Sequence, residues 1–169
     1  MLAPRTTVLI TTIDKFGNQD VAPYSFVTPV SFDPPTVAVA IAPQRHTMSN
    51  IEETKEFVIN LPTSELARSI MASAQPWRKN LDKIKESWLT TSESKKVKPP
   101  RIRECIAWIE CKLEWVKPSG DHNIVVGKVV QVDWKPELEK DGMMDLDKYP
   151  VAMHLGGKSF VLPGAMLEV

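Results

Sequence analysis

The chain has no net charge, since 21 Lys and Arg offset 21 Asp and Glu over 169 residues. A protein that grips nucleic acid by its phosphates needs a basic field, so this balance argues against that class of partner. Cysteine is scarce, at two residues, Cys105 and Cys111. On an extended strand they would share a face about 20 Å apart, beyond disulfide reach, and are expected to be buried free thiols. Three histidines and no Cys-x-x-Cys argue against a structural zinc site. No apolar run reaches membrane-spanning length. The start, Met1-Leu2-Ala3-Pro4-Arg5, lacks the basic-then-apolar layout of a secretion signal, so a cytoplasmic protein with no membrane partner is expected. No Gly-x-Gly-x-x-Gly is present, which excludes a Rossmann-type dinucleotide site. No Gly-x-Ser-x-Gly is present either, and without that elbow nothing supports a hydrolytic serine.

What remains is 43% apolar and 25% charged residues, the make-up of one globular domain, residues 1–169, with a hydrophobic core. Short β-branched and alternating runs dominate. Strands are expected at Thr6–Ile13, Gln19–Ser25, Thr36–Ala42, Glu56–Leu61, Glu104–Val116 and Asn123–Trp134. Two shorter ones, Val151–Leu155 and Lys158–Leu162, flank Gly156-Gly157, a good hairpin turn. Thr36–Ala42 is almost wholly apolar and reads as a central strand buried on both faces. In Glu104–Val116, Cys105, Ala107, Ile109, Cys111, Leu113 and Trp115 form one face. Ile106, Trp108, Glu110, Lys112 and Glu114 form a partly wet one, covered near its start. Gly127 inside its strand predicts a bulge or a close backbone approach. Helices are expected from about Thr47 to Lys55, capped by Thr47 or by a Ser49/Glu52 box, and after Pro62-Thr63, with Leu66, Ile70 and Met71 as its apolar stripe. Lys135–Asp147 reads as an acidic surface loop. Strands outnumber helices and turns join many neighbours, which predicts an antiparallel barrel with helices at its ends.

Residues 78–101 carry eight Lys and Arg against three acids, and a short helix is expected near Leu81–Ser87. The segment reads equally as a solvated excursion or as a lid or dimer arm that brings positive charge near a phosphate.

Several pieces in order carry a resemblance. They are Pro4-Arg5 followed by Val8-Leu9-Ile10-Thr11-Thr12, Gly17-Asn18-Gln19-Asp20-Val21-Ala22-Pro23-Tyr24-Ser25-Phe26, Val30-Ser31-Phe32-Asp33-Pro34-Pro35, Arg45-His46-Thr47 with Asn50-Ile51, Glu56-Phe57-Val58-Ile59-Asn60-Leu61, and Gly120-Asp121-His122-Asn123-Ile124-Val125-Val126-Gly127-Lys128-Val129. Together they resemble the flavin reductase-like, FMN-binding split-barrel family, and its flavoredoxin-like branch most. The resemblance implies a mainly β fold, a six-stranded Greek-key split barrel with a few peripheral helices. It also implies a homodimer with FMN at the interface, and reduction by NADH or NADPH.

The residues meet the demands of FMN in three groups. Arg45, His46, Thr47, Ser49 and Asn50 surround a helix start. Pattern alone allows ordinary capping or a phosphate seat; the resemblance favours the phosphate, with Arg45 pairing it in bidentate fashion. Tyr24, Ser25, Phe26, Val27 and Thr28, bracketed by Pro23 and Pro29, read as a protected edge strand or as donors to the isoalloxazine rim. Ile41 and Ala42, with Ala40, are small or apolar enough for the wall of a flat slot, and core packing explains them equally. His122 follows the turn Gly120-Asp121; the resemblance gives such a position a nicotinamide-side role, and otherwise it only opens a strand. His154 reads as structural. The function expected is an NAD(P)H-dependent flavin reductase-like enzyme that passes electrons through FMN to a free flavin, a metal ion or a protein. The rivals are an FMN-binding electron carrier that uses no nicotinamide, and a barrel that has lost its cofactor.

Overall fold

A computed structural model describes residues 2–76 and 82–164. Seven strands form one antiparallel sheet: β1 (Val8–Ile13), β2 (Gln19–Tyr24), β3 (Val27–Phe32), β4 (Pro35–Ile41), β5 (Glu56–Leu61), β6 (Ala107–Ser119) and β7 (His122–Trp134). Their spatial order is β2-β1-β5-β6-β7-β4-β3. The two edge strands are therefore β2 and β3, which are consecutive in the chain and separated only by Ser25 and Phe26. A sheet whose opposite edges are two residues apart has to curl round on itself. The result is a barrel left unpaired along one seam, with Ser25-Phe26 bridging it.

The interior follows from alternation. Val8 and Ile10 of β1, Val37, Val39 and Ile41 of β4, Phe57 and Ile59 of β5, Cys111 of β6 and Val125 of β7 pack into one buried cluster. Helix α1 (His46–Thr54) contributes Met48 and Ile51 to that cluster and so plugs one end of the barrel. A second cluster lies outside, where α2 (Ala67–Ser73) and α3 (Lys83–Glu86) cover β2. It joins Leu9, Val21, Ile70, Ile84, Leu89, Ile102 and Cys105. Burying each of these apolar side chains is worth about 1.5–3 kcal/mol, so the fold rests on the whole set. Two short strands, β8 (Met153–Gly156) and β9 (Ser159–Val161), form the expected hairpin, and the two-residue strand Arg5–Thr6 pairs with β8.

Several expectations are corrected. The strand buried on both faces is β1, all six residues of which are buried; Thr36–Ala42 is half-covered at Ala38 and Ala40. Helix α1 is capped by neither Thr47 nor the Ser49/Glu52 box: Arg45 is the N-cap and makes no side-chain cap hydrogen bond. Cys105 precedes β6 in a turn and belongs to the outer cluster, whereas Cys111 is in the barrel, so the two do not share a face. Both thiols are free, and burial pushes both well above the usual thiol range.

Strand β6 departs most from simple alternation. Val126 of β7 faces Trp115, but Gly127 faces Leu113, which leaves Glu114 as an extra residue. Such a bulge shifts every later side chain to the opposite face. Trp115 accordingly turns outward, 40% exposed, and Val116 packs against the barrel cluster in its place. Gly127 is buried at this bulge, where an added Cβ would lie 2.5 Å from Cζ of Phe57 and 3.1 Å from Cβ of Cys111. Both readings of Gly127 therefore hold at once.

The partly wet face of β6 is covered near its start, as expected, and the cover comes from the chain itself, while Lys112 and Glu114 stay exposed. Glu110 is fully buried and accepts hydrogen bonds from the backbone N–H of Lys95 (2.8 Å) and Lys96 (2.6 Å) and from Nε of Arg101 (2.7 Å). Arg101 also pairs with Asp133 and lies over the Trp108 ring, whose Nε1 donates to the Ile102 carbonyl at 2.7 Å. Asn60 accepts from the Ile102 N–H at 2.7 Å, and Glu56 from the Lys98 N–H at 2.9 Å. Residues 94–102 are thereby fastened to the sheet. They cover Ile106 fully and Trp108 in part. Of the basic segment's cations, Lys83, Lys95 and Arg101 are taken up in ion pairs within the chain. Arg78, Lys79 and Leu81 lie outside the described residues.

Candidate cofactor site

The junction between β4 and α1 brings together part of the expected phosphate group. Arg45, His46 and Ser49 are exposed around the first turn of α1, and no acidic residue lies in that turn. The opening N–H groups of a helix have no partner within it, and their dipole favours an anion. Thr47 is buried, and its Oγ1 is 3.4 Å from Oδ2 of Asp20 on β2. The Asp20 carboxylate would repel an anion if unpaired. Lys83 of α3 pairs with it at 3.2 Å, so the helical excursion balances the acid beside the helix start.

Asn50 does not join this group. It is buried, and its Nδ2 donates to Thr12 Oγ1 at 3.0 Å, which bolts α1 to β1. Its amide is used by the scaffold and is not directed to a ligand. Ile41 likewise points into the barrel cluster, so a slot wall at this place has the half-buried Ala40 and Ala42 for surface.

The expected rim segment is divided among three surroundings. Tyr24 ends β2 beside α1. Its hydroxyl is buried beside Thr47, and burial, with the nearby Asp20 charge, pushes its pKa up to about 12 against the opposing pull of Thr47 and Arg45. Ser25 and Phe26 bridge the seam. Val27 and Thr28 begin β3 and line a cavity of about 610 Å³ at the barrel end opposite α1. That cavity is walled by Val8, Val37, Ile59 and Ile109 and rimmed by Trp134, Met143 and Met144, so it is apolar and reaches the core. Pro29 lies within an edge strand, at a register shift between Pro29 and Ser31, where its missing N–H costs no ladder bond.

At the seam the structure assembles side chains from both ends of the sequence. The Phe26 ring is 5.6 Å from the His122 ring and 5.2 Å from the Arg5 guanidinium carbon. Nη2 of Arg5 is 3.3 Å from Nδ1 of His154, and Ser25 Oγ is 3.3 Å from the same nitrogen. His122 also contacts Asp121, 2.7 Å away, whose carboxyl is held below its usual range by that hydrogen bond and charge. Tyr24, Ser25, Phe26 and His122 are thus gathered about one seam, with Arg45, Thr47 and Ser49 at the adjoining helix start. Arg5, Asp20, Lys83 and His154 were not among the expected site residues. Pro4-Arg5 was visible as part of an ordered motif; no local pattern could have pointed to His154, 149 residues away from Arg5.

The donor set suits a flat, phosphorylated cofactor. It offers an open helix start with an exposed arginine, a buried Tyr24 hydroxyl, a buried Arg5 Nε that has no hydrogen-bond partner among the described residues, and aromatic rings beside them. Residues 1–153 match the flavin reductase like domain. The chain belongs to the flavin reductase-like family. It is 36% identical over 162 residues to an uncharacterised protein of Pyrococcus abyssi, covering 95% of this chain and 91% of that one. Among solved structures, nitrilotriacetate monooxygenase component B from Bacillus cereus superposes with a TM-score of 0.91 at 24% identity, over 99% of this chain and 88% of that one. Flavoredoxin of Desulfovibrio vulgaris (Miyazaki F) superposes with a TM-score of 0.90 at 21% identity, over 100% and 92%. At such identities the two structures establish the fold, the mainly β split barrel that the sequence motifs implied. No helix among the described residues is long and apolar enough to cross a membrane.

Proposed function

We propose that this flavin reductase-like protein is an FMN-binding oxidoreductase that takes electrons from NADH or NADPH and passes them to a free flavin, a metal ion or a protein. The observation that carries the reading is the corner where the N-terminus of α1, capped by the exposed Arg45, adjoins the seam residues Tyr24, Ser25, Phe26 and His122. Arg45, with Ser49 and the first N–H groups of α1, that of Thr47 among them, would hold the phosphate. Tyr24 and Ser25 would meet the polar rim of the isoalloxazine, and Phe26 and Ala42 its flat faces. FMN, when bound, supplies the ability to accept a hydride and release its electrons to another acceptor. The side chains mainly bind and orient, and His122 stands where a second, nicotinamide-bearing ligand could be positioned.

A homodimer is part of the proposal. The cavity rim exposes Val132, Trp134, Met143 and Met144, each between 42% and 53% exposed, and a second copy is the simplest cover for them. Sedimentation as a monomer at micromolar concentration would contradict this.

The test of function uses purified protein mixed with FMN. Retention of visible flavin absorbance after gel filtration is expected, followed by rapid anaerobic bleaching on addition of NADH or NADPH. Absence of retained flavin, even at excess, overturns the reading. Retention without bleaching by either nucleotide leaves the electron carrier, which the structural similarity to flavoredoxin keeps in view.

A further inference from the structure

Arg5 is a partly buried cation. Among the described residues no carboxylate lies within ion-pair distance of it. Its guanidinium contacts the Leu2 carbonyl, His154 Nδ1 and the Phe26 ring, and its Nε is buried with no partner. A guanidinium carries five N–H donors in a planar fork and is always charged. Two of those directions are used on neutral acceptors, and among the described residues nothing balances the charge.

His154 explains how the guanidinium is held. Its Nε2 is 3.2 Å from the Gly157 carbonyl, which can only accept, so Nε2 must carry hydrogen. Its Nδ1 faces Arg5 Nη2, which can only donate, so Nδ1 must be the accepting nitrogen. These two contacts fix His154 as the neutral Nε2–H tautomer. The Ser25 hydroxyl can donate to the same Nδ1, and the Phe160 ring, 5.4 Å away, backs the imidazole. The hairpin β8–β9 therefore aims Arg5 at the seam and adds no negative charge of its own there. Arg5, on the two-residue strand that pairs with β8, is the cation next to Phe26 and His122.

We propose that Arg5 compensates the negative charge that FMN gains at the seam on reduction, and that His154 is the positioning residue that aims it. The inference rests on the FMN reading. In reduction a hydride, two electrons and one proton, leaves the reduced nicotinamide, which becomes the oxidised dinucleotide. The same two electrons and proton arrive on the isoalloxazine, which thereby gains one negative charge. A fixed guanidinium near that charge holds the reduced cofactor more tightly than the oxidised one, because it is attractive only after the charge appears. Differential affinity for the two redox states is a shift of midpoint potential.

The experiment compares native protein with Arg5→Gln, Arg5→Lys and His154→Phe, each loaded with FMN. The readouts are the two-electron midpoint potential, by equilibration with a reference dye, and the affinity for oxidised FMN and for riboflavin. Arg5→Gln is expected to hold reduced FMN at least tenfold less tightly relative to oxidised FMN, a fall of about 30 mV for a two-electron couple. Its affinity for oxidised FMN should change less than threefold. Arg5→Lys should recover most of the potential, and His154→Phe should fall in the same direction by less. A potential in Arg5→Gln equal to native overturns the proposal while leaving FMN binding intact. So does equal loss of affinity in both redox states, or loss for FMN but not riboflavin, which would make Arg5 a ligand of the phosphate. A lysine variant as low as glutamine removes charge as the cause. Failure of the native protein to bind FMN overturns the parent reading, and this one with it. Should Arg5→Gln not fold, Arg5→Lys and His154→Phe decide: unchanged potential in His154→Phe is then the overturning result.

Discussion

Removing the Glu110 carboxylate should damage the fold more than removing any exposed acid. In Glu110→Ala, the backbone N–H groups of Lys95 and Lys96 and the buried Nε of Arg101 lose their acceptor together. Each orphaned buried donor costs about 1–3 kcal/mol, and breaking a buried ion pair on one side costs about 3–5 kcal/mol. These overlap, because Arg101 keeps Asp133, so a loss of about 3–5 kcal/mol is expected. Against a total stability of roughly 5–15 kcal/mol this is a large share, and it corresponds to a fall in Tm of roughly 6–20 °C for a domain of this size. Urea unfolding with a tryptophan signal measures it directly. The variant Arg101→Met/Glu110→Leu separates the two contributions. Replacing a buried pair by apolar groups is often neutral, but the two backbone N–H groups remain without acceptors. Partial recovery of stability, with residues 94–102 newly open to proteolysis, is therefore the expected pattern. A loss below about 1 kcal/mol in Glu110→Ala would refute the idea that this carboxylate fastens the excursion.

Three further outcomes are expected. Gly127→Ala should destabilise by about 1–3 kcal/mol, read by thermal unfolding, because the Phe57 ring it would strike is fully buried and has no room to yield; Phe57→Leu in the same background should restore part of the loss. Arg45→Ala should weaken FMN binding by about 1.5–3 kcal/mol, roughly 10- to 150-fold, in a fluorescence titration, with urea stability unchanged since Arg45 is exposed; equal affinity would remove Arg45 from the phosphate seat. Tyr24, with its folded pKa raised to about 12, stays protonated longer in the folded chain than in the unfolded one. Its contribution is fully present below pH about 10 and is lost as pH rises toward about 12, a change of about 2–3 kcal/mol. The urea midpoint should fall less steeply across that window in Tyr24→Phe, and identical slopes would contradict the assignment.

Much of the barrel was legible from alternation and turn chemistry. Glu56–Leu61 was expected with the bounds observed, because its apolar residues and flanking Lys55 and Pro62 leave little choice. The helix after β4 was placed within one residue at each end. What escaped depends on contacts distant in sequence. Glu110 falls on the face that its neighbours Lys112 and Glu114 mark as wet, and only the returning segment 94–102 makes it buried. The outward turn of Trp115 follows from a bulge whose cause, the glycine opposite, lies on another strand. Beside the candidate site, the start of α1 after Arg45 was readable because a helix start is a local event. Asn50 was misjudged because its partner, Thr12, is on β1. Arg5 and His154 were invisible as a pair, since the pairing of the Arg5–Thr6 strand with β8 joins the two termini of the domain.

The bridge at Ser25-Phe26 has a mechanical corollary. Because both free margins of the sheet converge on one dipeptide, a molecule lodged there would restrain the two margins as a buckle restrains both ends of a belt. Occupancy should thus be felt as slower amide exchange along β2 and β3 together, although these strands share no ladder bonds and lie at opposite ends of the strand order.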